Sequence, residues 1–490
     1  MSTLAREWTF LDKSKGIQPV NRVLTRYQRP LFNLKPNVMK KFISLLTMVI
    51  FITGMAVAQN TATTSQTGDK NDAQIQQQGG DQHATVTQTD DQNDANVRQH
   101  QYSTNGSQSA TVIQNGDAFG GNKATIRMEF LGGNGNPNTA YIEQIGDYNT
   151  SNQRIEAGRG IEHLWGYQEG NHNELTQRLG GATNRVTSFD AEQVGNYNKA
   201  TQTLPNGIVS RGLIKQTGNH NDARQMLEGD YNGWSGPITS FQEGNRNTSR
   251  QIFHSTVPYG GTDEENTGLV SQFGDGNFAR QLVEGKAADV DIRQGDPDKN
   301  NQANYNEAWQ NIMGATNTAS IYVIGDRNWT KQRVDGDKNN VSLWNAGNHN
   351  TVRQKQNLYN NHQRLEIGGD WNNAIVSQDG NKNKTYINMR GTGPGQIGSG
   401  LGSHNNNRND LMISQNGDEN LLSGAVTGER NDVDVYQIGN NNTIGSGLWN
   451  ADGINIYGHS NTTLIRQLTN GNSADVNQLG NNNNSRIIQK

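Results

Sequence analysis

Cysteine is absent from this chain of 490 residues, which excludes a disulfide framework, thiol catalysis and thiolate–metal sites. Apolar residues are scarce, at 31%, and the mean hydropathy is −0.86, so the composition is not that of ordinary globular domains. Charged residues make up only 18%, which leaves less self-repulsion than a disordered polar linker would have. The polar residues are mainly Gln, Asn, Ser and Thr, whose side chains can satisfy one another when identical strands stack.

A secretory signal is predicted at residues 39–58. Two lysines precede an apolar run that ends in Ala56-Val57-Ala58, so cleavage is expected between Ala58 and Gln59. A membrane span is the weaker alternative, because the apolar run is short. Residues 1–38 precede this complete signal and are attributed to a start codon assigned too early, or else to an extended basic region.

The predicted mature chain, residues 59–490, is acidic. It keeps 33 basic and 44 acidic residues, a net charge of −11. Binding to a phosphate backbone needs a basic surface, so no nucleic-acid partner is predicted. No membrane span is expected within these residues.

One hexapeptide returns eleven times: Gln, any residue, Gly, Asp or Asn, any residue, Asn. Many neighbouring copies begin 22 to 30 residues apart, a period typical of stacked supersecondary units. The Gln, Gly and Asn positions, with a few second Gln residues, are predicted to form a structural ladder used in polymerisation. They are Gln66, Gly68, Asn71 and Gln77; Gln144, Gly146 and Asn149; Gln168, Gly170 and Asn173; Gln193, Gly195 and Asn198; Gln216, Gly218, Asn221 and Gln225; Gln242, Gly244 and Asn247; Gln272, Gly274 and Asn277; Gln378, Gly380 and Asn383; Gln415, Gly417 and Asn420; Gln437, Gly439 and Asn442; Gln478, Gly480, Asn483 and Gln489.

The unit at residues 212–232 predicts a strand, a bend and a second strand. Apolar or Gln residues alternate with charged ones on both sides of a Gly/Asn bend, which is the pattern of half-buried strands. A slip of one residue would turn the charges inward, so the register is well specified. The expected interior row is Ile214, Gln216, Ala223, Gln225 and Leu227, with Lys215, Arg224 and Glu228 outside.

The whole array is predicted to be an all-β solenoid of about 18 rungs with amyloid-like cross-β stacking, roughly 85 Å long at the usual strand spacing. Insertions at about 204–212, 255–268 and 391–407 are predicted to be loops at the second bend of each unit. Degenerate copies of the hexapeptide fill the gaps around Gln78, Gln88, Gln114, Gln294, Val323 and Asn345.

These units resemble the curlin repeat, Gln-x-Gly-x-x-Asn-x-Ala-x-x-x-Gln. Residues 66–77 match it fully, and 478–489 match it except that Ser485 replaces Ala. In six other units the second Gln comes two residues early, an even shift that keeps the side chain pointing inward. Those residues are Gln153, Gln177, Gln202, Gln225, Gln251 and Gln281.

The resemblance implies a secreted structural protein of a Gram-negative-type bacterium that polymerises into extracellular curli-like amyloid fibres of the biofilm matrix and serves adhesion. It implies further copies of the chain and other curlin-like subunits as partners, with an outer-membrane secretion pore and periplasmic accessory proteins. Repeats run almost to Lys490, and an uncapped last rung is expected to be a sticky edge. The alternative is a monomeric β-solenoid adhesin or binding protein.

No enzymatic activity, cofactor or metal is predicted. The acidic run 263–265 lies in an insertion and is weak support for glycoside hydrolysis. Trp344 and Trp371 are expected to fill gaps in the solenoid wall rather than to stack on sugars. Repeated bend residues are expected to be solvent-exposed or to bond their own backbone rather than to bind zinc or calcium. They are His172, His220 and His349, and Asp69, Asp147, Asp275 and Asp418.

Overall fold

Strands begin just after the predicted cleavage site and continue to the end of the chain. The computed structural model describes residues 60–101, 107–116, 120–130, 138–156, 161–162, 164–180, 186–187, 190–206, 212–228, 238–254, 267–285, 288–296, 302–390, 408–445 and 453–490. The predicted leader, residues 1–58, and the insertion at 391–407 lie outside the described residues.

Two parallel sheets form the solenoid. The first contains β1 (Thr61–Gln66), β3 (Gln82–Thr89), β5 (Gln108–Asn115), β7 (Asn138–Ile145), β10 (Gly166–Glu169), β13 (Ala191–Val194), β15 (Gly212–Thr217), β17 (Ile238–Glu243), β19 (Thr267–Phe273), β21 (Asp289–Gln294), β23 (Thr318–Ile324), β25 (Asn340–Ala346), β27 (His362–Gly368), β29 (Lys384–Arg390), β31 (Leu421–Thr427), β33 (Thr443–Ile444), β34 (Ile454–Tyr457), β36 (Ser473–Ala474) and β37 (Val476–Leu479).

The second sheet contains β2 (Asp72–Gln78), β4 (Asp94–Gln101), β6 (Lys123–Phe130), β8 (Thr150–Glu156), β11 (Glu174–Leu179), β14 (Lys199–Asn206), β16 (Asp222–Glu228), β18 (Thr248–His254), β20 (Phe278–Glu284), β22 (Glu307–Met313), β24 (Trp329–Asp335), β26 (Thr351–Asn357), β28 (Asn373–Asp379), β30 (Asp410–Asn416), β32 (Asp432–Ile438), β35 (Thr462–Gln467) and β38 (Asn484–Gln489). Two short strands, β9 (Ile161–Glu162) and β12 (Val186–Thr187), pair separately.

A rung consists of one first-sheet strand, the first bend, one second-sheet strand and the second bend that leads to the next rung. Strands pair in parallel with their equivalents one rung away, as when Gln216 of β15 aligns with Gln242 of β17. The second sheet supplies 17 strands, one for each rung, and no helix occurs in the described part of the chain. The predicted all-β solenoid of stacked strand–bend–strand units is confirmed.

The core lies between the two sheets, because every second side chain of a strand points inward. In β15 and β16 the predicted interior row is buried, and Ile214, Ala223 and Leu227 are fully inaccessible to solvent. Full burial of an Ile or Leu side chain contributes about 1.5–3 kcal/mol. Lys215 and Arg224 point outward, as predicted.

Glycine is required where bends of successive rungs meet. Gly218 has a φ of +114°, and a Cβ there would lie 2.0 Å from the carbonyl oxygen of Gly244 in the next rung. A side chain cannot be accommodated at that distance, and positive φ disfavours it further. The Gly of the hexapeptide therefore allows the rungs to stack at strand spacing.

The insertions depart from the prediction in two ways. Residues 204–206 continue strand β14, and 267–268 begin strand β19, so these insertions are shorter than predicted. The insertion at 391–407 joins the first-sheet strand β29 to the second-sheet strand β30, so it occurs at a first bend and not at a second bend.

Candidate functional site

Copies of the hexapeptide do not all lie at the same bend of their rungs. Eight copies, including those at Gln66, Gln272 and Gln478, have their Gln in the first sheet and their Asn at the first bend. The copies at Gln378, Gln415 and Gln437 have their Gln in the second sheet and form second bends. The sequence pattern does not reveal this change, because both bends accept the same residues.

The first Gln ladder runs through ten rungs of the first sheet. Each Nε2 donates to the Oε1 of the equivalent Gln in the next rung, at 2.6–2.9 Å. Its members are Gln66, Gln88, Gln114, Gln144, Gln168, Gln193, Gln216, Gln242, Gln272 and Gln294. Val323 and Asn345 follow at the same position, whereas Gln78 is exposed in another strand.

The second Gln ladder explains the early second Gln of the middle units. It occupies the central inward position of the second sheet, and its Nε2–Oε1 distances are 2.8–3.1 Å. Ile75 and Ile487 hold the same position in the first and last rungs. Its members are Gln153, Gln177, Gln202, Gln225, Gln251, Gln281, Gln310, Gln332 and Gln354.

The third Gln ladder lies two residues further along the second sheet and occurs near both ends of the array. At the start, Gln77 donates to Gln99 at 2.8 Å. At the far end the ladder has donor–acceptor distances of 2.7–2.9 Å. This far segment comprises Gln356, Gln378, Gln415, Gln437, Gln467 and Gln489.

An Asn ladder at the first bend is the longest continuous feature of the described residues. The backbone N–H of each Asn donates to the Oδ1 of the Asn one rung earlier, at 2.8–3.1 Å, from Asn71 to Asn483 without a break. Most of these Asn side chains are buried. The predicted members are Asn71, Asn149, Asn173, Asn198, Asn221, Asn247, Asn277 and Asn483.

Nine further members of this ladder were missed by the hexapeptide pattern. A shorter signal, Gly-x-x-Asn, finds several of them, because their rungs keep the bend but replace the leading Gln by Val, Asn or Ile. The missed residues are Asn93, Asn122, Asn306, Asn328, Asn350, Asn372, Asn409, Asn431 and Asn461.

A second Asn ladder forms at the second bend over the last third of the array. It has the same bonding pattern, with N–Oδ1 distances of 2.9–3.0 Å. The predicted residues Asn383, Asn420 and Asn442 belong to it, together with Asn317, Asn339, Asn361 and Asn472. The Gly residues of the hexapeptides have positive φ, as their bend positions require.

Two of the repeated acidic bend residues accept hydrogen bonds from the backbone of the neighbouring rung. The Oδ1 of Asp275 accepts the N–H of Asn245 at 2.7 Å, and that of Asp418 accepts the N–H of Asn381 at 2.7 Å. No group of His, Cys, Asp or Glu that could hold a metal ion occurs within the described residues. In the same part of the chain, no helix has the length and apolarity needed to cross a membrane.

Aromatic residues follow one another along the first bend. The ring of His172 stacks between Tyr148 and Tyr197, with centroid distances of 4.8 and 4.7 Å. Trp371 is 57% exposed and stacks on His349 at 4.0 Å, so the expectation that it fills the wall is wrong. The acidic run 263–265 and the predicted cleavage residues Ala56, Ala58 and Gln59 lie outside the described residues.

The two terminal rungs carry equivalent residues at opposite ends of the stack. Gln66 and Gln77 belong to the first rung, and Gln478 and Gln489 occupy the corresponding positions of the last rung. Within the described residues, β1, β2, β37 and β38 each pair with another strand on one side only. Each end therefore presents a row of backbone and side-chain amides.

The hydrogen bonds of each ladder all point the same way along the stack, which gives the ladder a polarity. In every Gln ladder the Nε2 of one rung donates to the Oε1 of the next, so Gln side chains present donors at the last rung and acceptors at the first rung. Where a ladder begins beside an apolar residue, the acceptor stays unpaired: the Oε1 atoms of Gln153 and Gln356 are buried without a hydrogen-bond partner. Continuation of a ladder is therefore favourable, since an unpaired buried amide group costs about 1–3 kcal/mol.

Comparison with known families agrees with the repeat geometry. The family profile of the curlin associated repeat matches residues 458–490, which contain the first bends of the last two rungs and the terminal strands. A search of curated proteins found no match. Residues 458–490 are thus similar to the curlin associated repeat, and they belong to an array that reuses the same strand–bend–strand unit from its first described rung to its last.

Proposed function

We propose that this chain is a secreted structural protein that polymerises end to end into extracellular curli-like amyloid fibres, which serve the biofilm matrix and adhesion. Its role is mechanical and not catalytic. This proposal rests on the polarity of the Gln and Asn ladders together with the equivalence of the terminal rungs.

Polarity supports head-to-tail addition. Gln489 is the last member of the third Gln ladder, and each Gln before it in the far segment donates its Nε2–H to the Oε1 of the next rung. The Oε1 of Gln77 in a second copy offers the matching acceptor for Gln489. The Oδ1 of Asn483 likewise corresponds to the acceptor that each earlier Asn provides for the following rung. A contact between different surfaces of identical chains generates an open filament when successive copies are displaced along one axis, as coaxially stacked rungs are.

Register supports the same arrangement. If the last rung lies against the first rung of another copy, Gln478 meets Gln66, Gln489 meets Gln77 and Ile487 meets Ile75. Polar ladders and the apolar core then continue across the junction in the register used inside the chain. Each added copy re-creates the edge that it occupied.

The proposed partners are further copies of this chain and other curlin-like subunits. An outer-membrane pore and periplasmic accessory proteins are proposed for export, and the predicted signal at 39–58 would direct the chain into this route. The proposed location is the outer surface of a Gram-negative-type bacterium. Neither a cofactor nor nucleic acid is part of the proposal.

The test is seeded elongation by the double variant Gln478→Glu, Gln489→Glu. Each Glu keeps an acceptor oxygen for its own chain and adds a charge at the junction. It loses the Nε2 donor, which bonds the Thr462 or Ser473 carbonyl within the chain and would also meet the next copy. We expect elongation from preformed seeds to slow at least tenfold, measured by thioflavin fluorescence.

The matched control is Asn477→Asp, Asn484→Asp, which adds two charges to the same rung at exposed, outward positions. We expect this variant to elongate within about twofold of the unaltered chain. Equal rates for the two double variants would overturn terminal templating.

A further inference from the structure

A groove crosses the outer face of the first sheet in the last third of the array. Its first part, about 420 Å³, lies over β25, β27 and β29, and its second part, about 800 Å³, extends over the following strands to Thr443. The two parts share His362 and Tyr386, so they form one continuous depression. The groove faces away from the core and from the terminal rungs.

Aromatic side chains line the first part of the groove. Trp344 and Tyr386 lie on strands that flank β27, and the imidazole of His362 lies 5.1 Å from the Tyr386 ring. The indole Nε1 of Trp344 is buried, yet it has no hydrogen-bond partner among the described residues. Unsatisfied buried donors of this kind are uncommon in folded proteins, and an ordered water or a ligand in the groove would supply the acceptor.

The charges in the groove are nearly balanced. Arg364 pairs with Glu366, and Lys382 bonds Glu419 at 2.9 Å. Lys384 has no carboxylate partner within the described residues and leaves a single surplus positive charge. Burial, and then the nearby Lys384 and Arg364, lower the pKa of His362, so this imidazole is neutral near pH 7.

We propose that this groove binds a short segment of a linear polysaccharide, with the Trp344 and Tyr386 rings against sugar faces and Lys384 against a uronate carboxylate. Sugar rings combine apolar C–H faces with hydroxyl groups that both donate and accept. Paired charges and neutral amides satisfy such hydroxyls without introducing a strong field. The proposed site is separate from the terminal rungs and does not rest on fibre formation.

Size and charge favour a polysaccharide over a nucleic acid. The groove spans the strands from β25 to β33, roughly 19 Å at a strand spacing of about 4.8 Å, which is enough for a few linked rings. Double-stranded DNA carries about one negative charge per 1.7 Å, and one surplus lysine does not compensate that density.

The experiment titrates the full chain with two probes, a hexasaccharide of galacturonate and a β-1,4-linked glucose hexasaccharide, by isothermal calorimetry. We expect the uronate to bind at least threefold more tightly than the neutral chain. Trp344→Thr, which suits a strand, should weaken binding of both at least tenfold. Lys384→Met should remove the preference for uronate and leave binding of the neutral chain unchanged.

Trp309→Thr is the matched control, because Trp309 is an outward Trp of a strand in the opposite sheet. It should leave binding of both saccharides unaltered. Absence of saccharide binding, or equal losses for the two Trp variants, would overturn the proposal. Tight binding of a single-stranded oligonucleotide that depends on Trp344 would also overturn it and would assign the groove to nucleic acid.

Discussion

At the scale of single residues, buried amides replace apolar side chains as the specific element of this core. An amide needs both a donor and an acceptor partner, and identical residues in the two neighbouring rungs supply one each. Gln225 accepts from Gln202 at 3.0 Å and donates to Gln251 at 2.9 Å while completely buried. The chain thus folds with only 31% apolar residues, because much of the interior of its array consists of satisfied hydrogen-bond ladders.

Gln225→Leu tests the value of an interior ladder position. The change deprives Gln202 of its acceptor and Gln251 of its donor, so we expect a loss of about 2–3 kcal/mol in the free energy of unfolding. Gln354→Leu is the control, since Gln354 ends its ladder beside Val376, and Gln332 keeps a second acceptor, the Ser320 carbonyl at 2.6 Å. The control should lose less than half as much in chemical denaturation. Equal losses would contradict a specific role for the ladder.

At the scale of strands and bends, the local alternation of apolar or Gln residues with charged ones was sufficient to predict the strands, the bends and which side chains face the core. The row around Ile214 and Leu227 is an example, because inward and outward residues there differ sharply in polarity. The bend at which a hexapeptide lies was not predictable: Gln272 precedes a first bend and Gln378 a second bend, yet their motifs are alike. Their assignment depends on pairing between rungs, which distant residues determine.

The outer faces of the strands hold tyrosines bonded to carboxylates. Tyr141 donates to Glu143 at 2.9 Å, and burial followed by this bond raises the pKa of the Tyr141 hydroxyl from 10.0 to about 12. The same arrangement raises the pKa of Tyr167 beside Glu169. Such pairs can form because residues two apart in a strand share a face.

Alkaline stability tests these pairs. Since the folded-state pKa of Tyr141 exceeds the unfolded value, its stabilising contribution is complete below pH 10 and is lost as the pH rises towards 12. Tyr141→Phe should reduce the fall in melting temperature between pH 10 and 12, compared with the unaltered chain. An unchanged pH profile would show that the hydroxyl makes no such contribution.

At the scale of the whole array, the solenoid and the ladder positions followed from the repeat, whereas three features did not. The Asn ladder proved longer than the hexapeptide indicated, because rungs with Val323 or Ile367 in place of Gln keep the bend. The 391–407 insertion occurs at the opposite bend from the one predicted. The groove around Trp344 arises from side chains in separate rungs, and no local motif marks it.

The central claim is that chains stack coaxially, with the last rung of one copy on the first rung of the next. The most direct measurement is the mass per length of seeded fibres by scanning transmission electron microscopy. Seventeen rungs at a spacing of about 4.8 Å span roughly 82 Å. All 490 residues weigh 53.9 kDa, so the predicted mature chain, residues 59–490, weighs about 47.5 kDa and gives roughly 0.6 kDa per Å for a single filament, or a whole-number multiple for bundled filaments. A chain that stays monomeric with seeds present, or fibres whose mass per length is not such a multiple, would contradict end-to-end stacking.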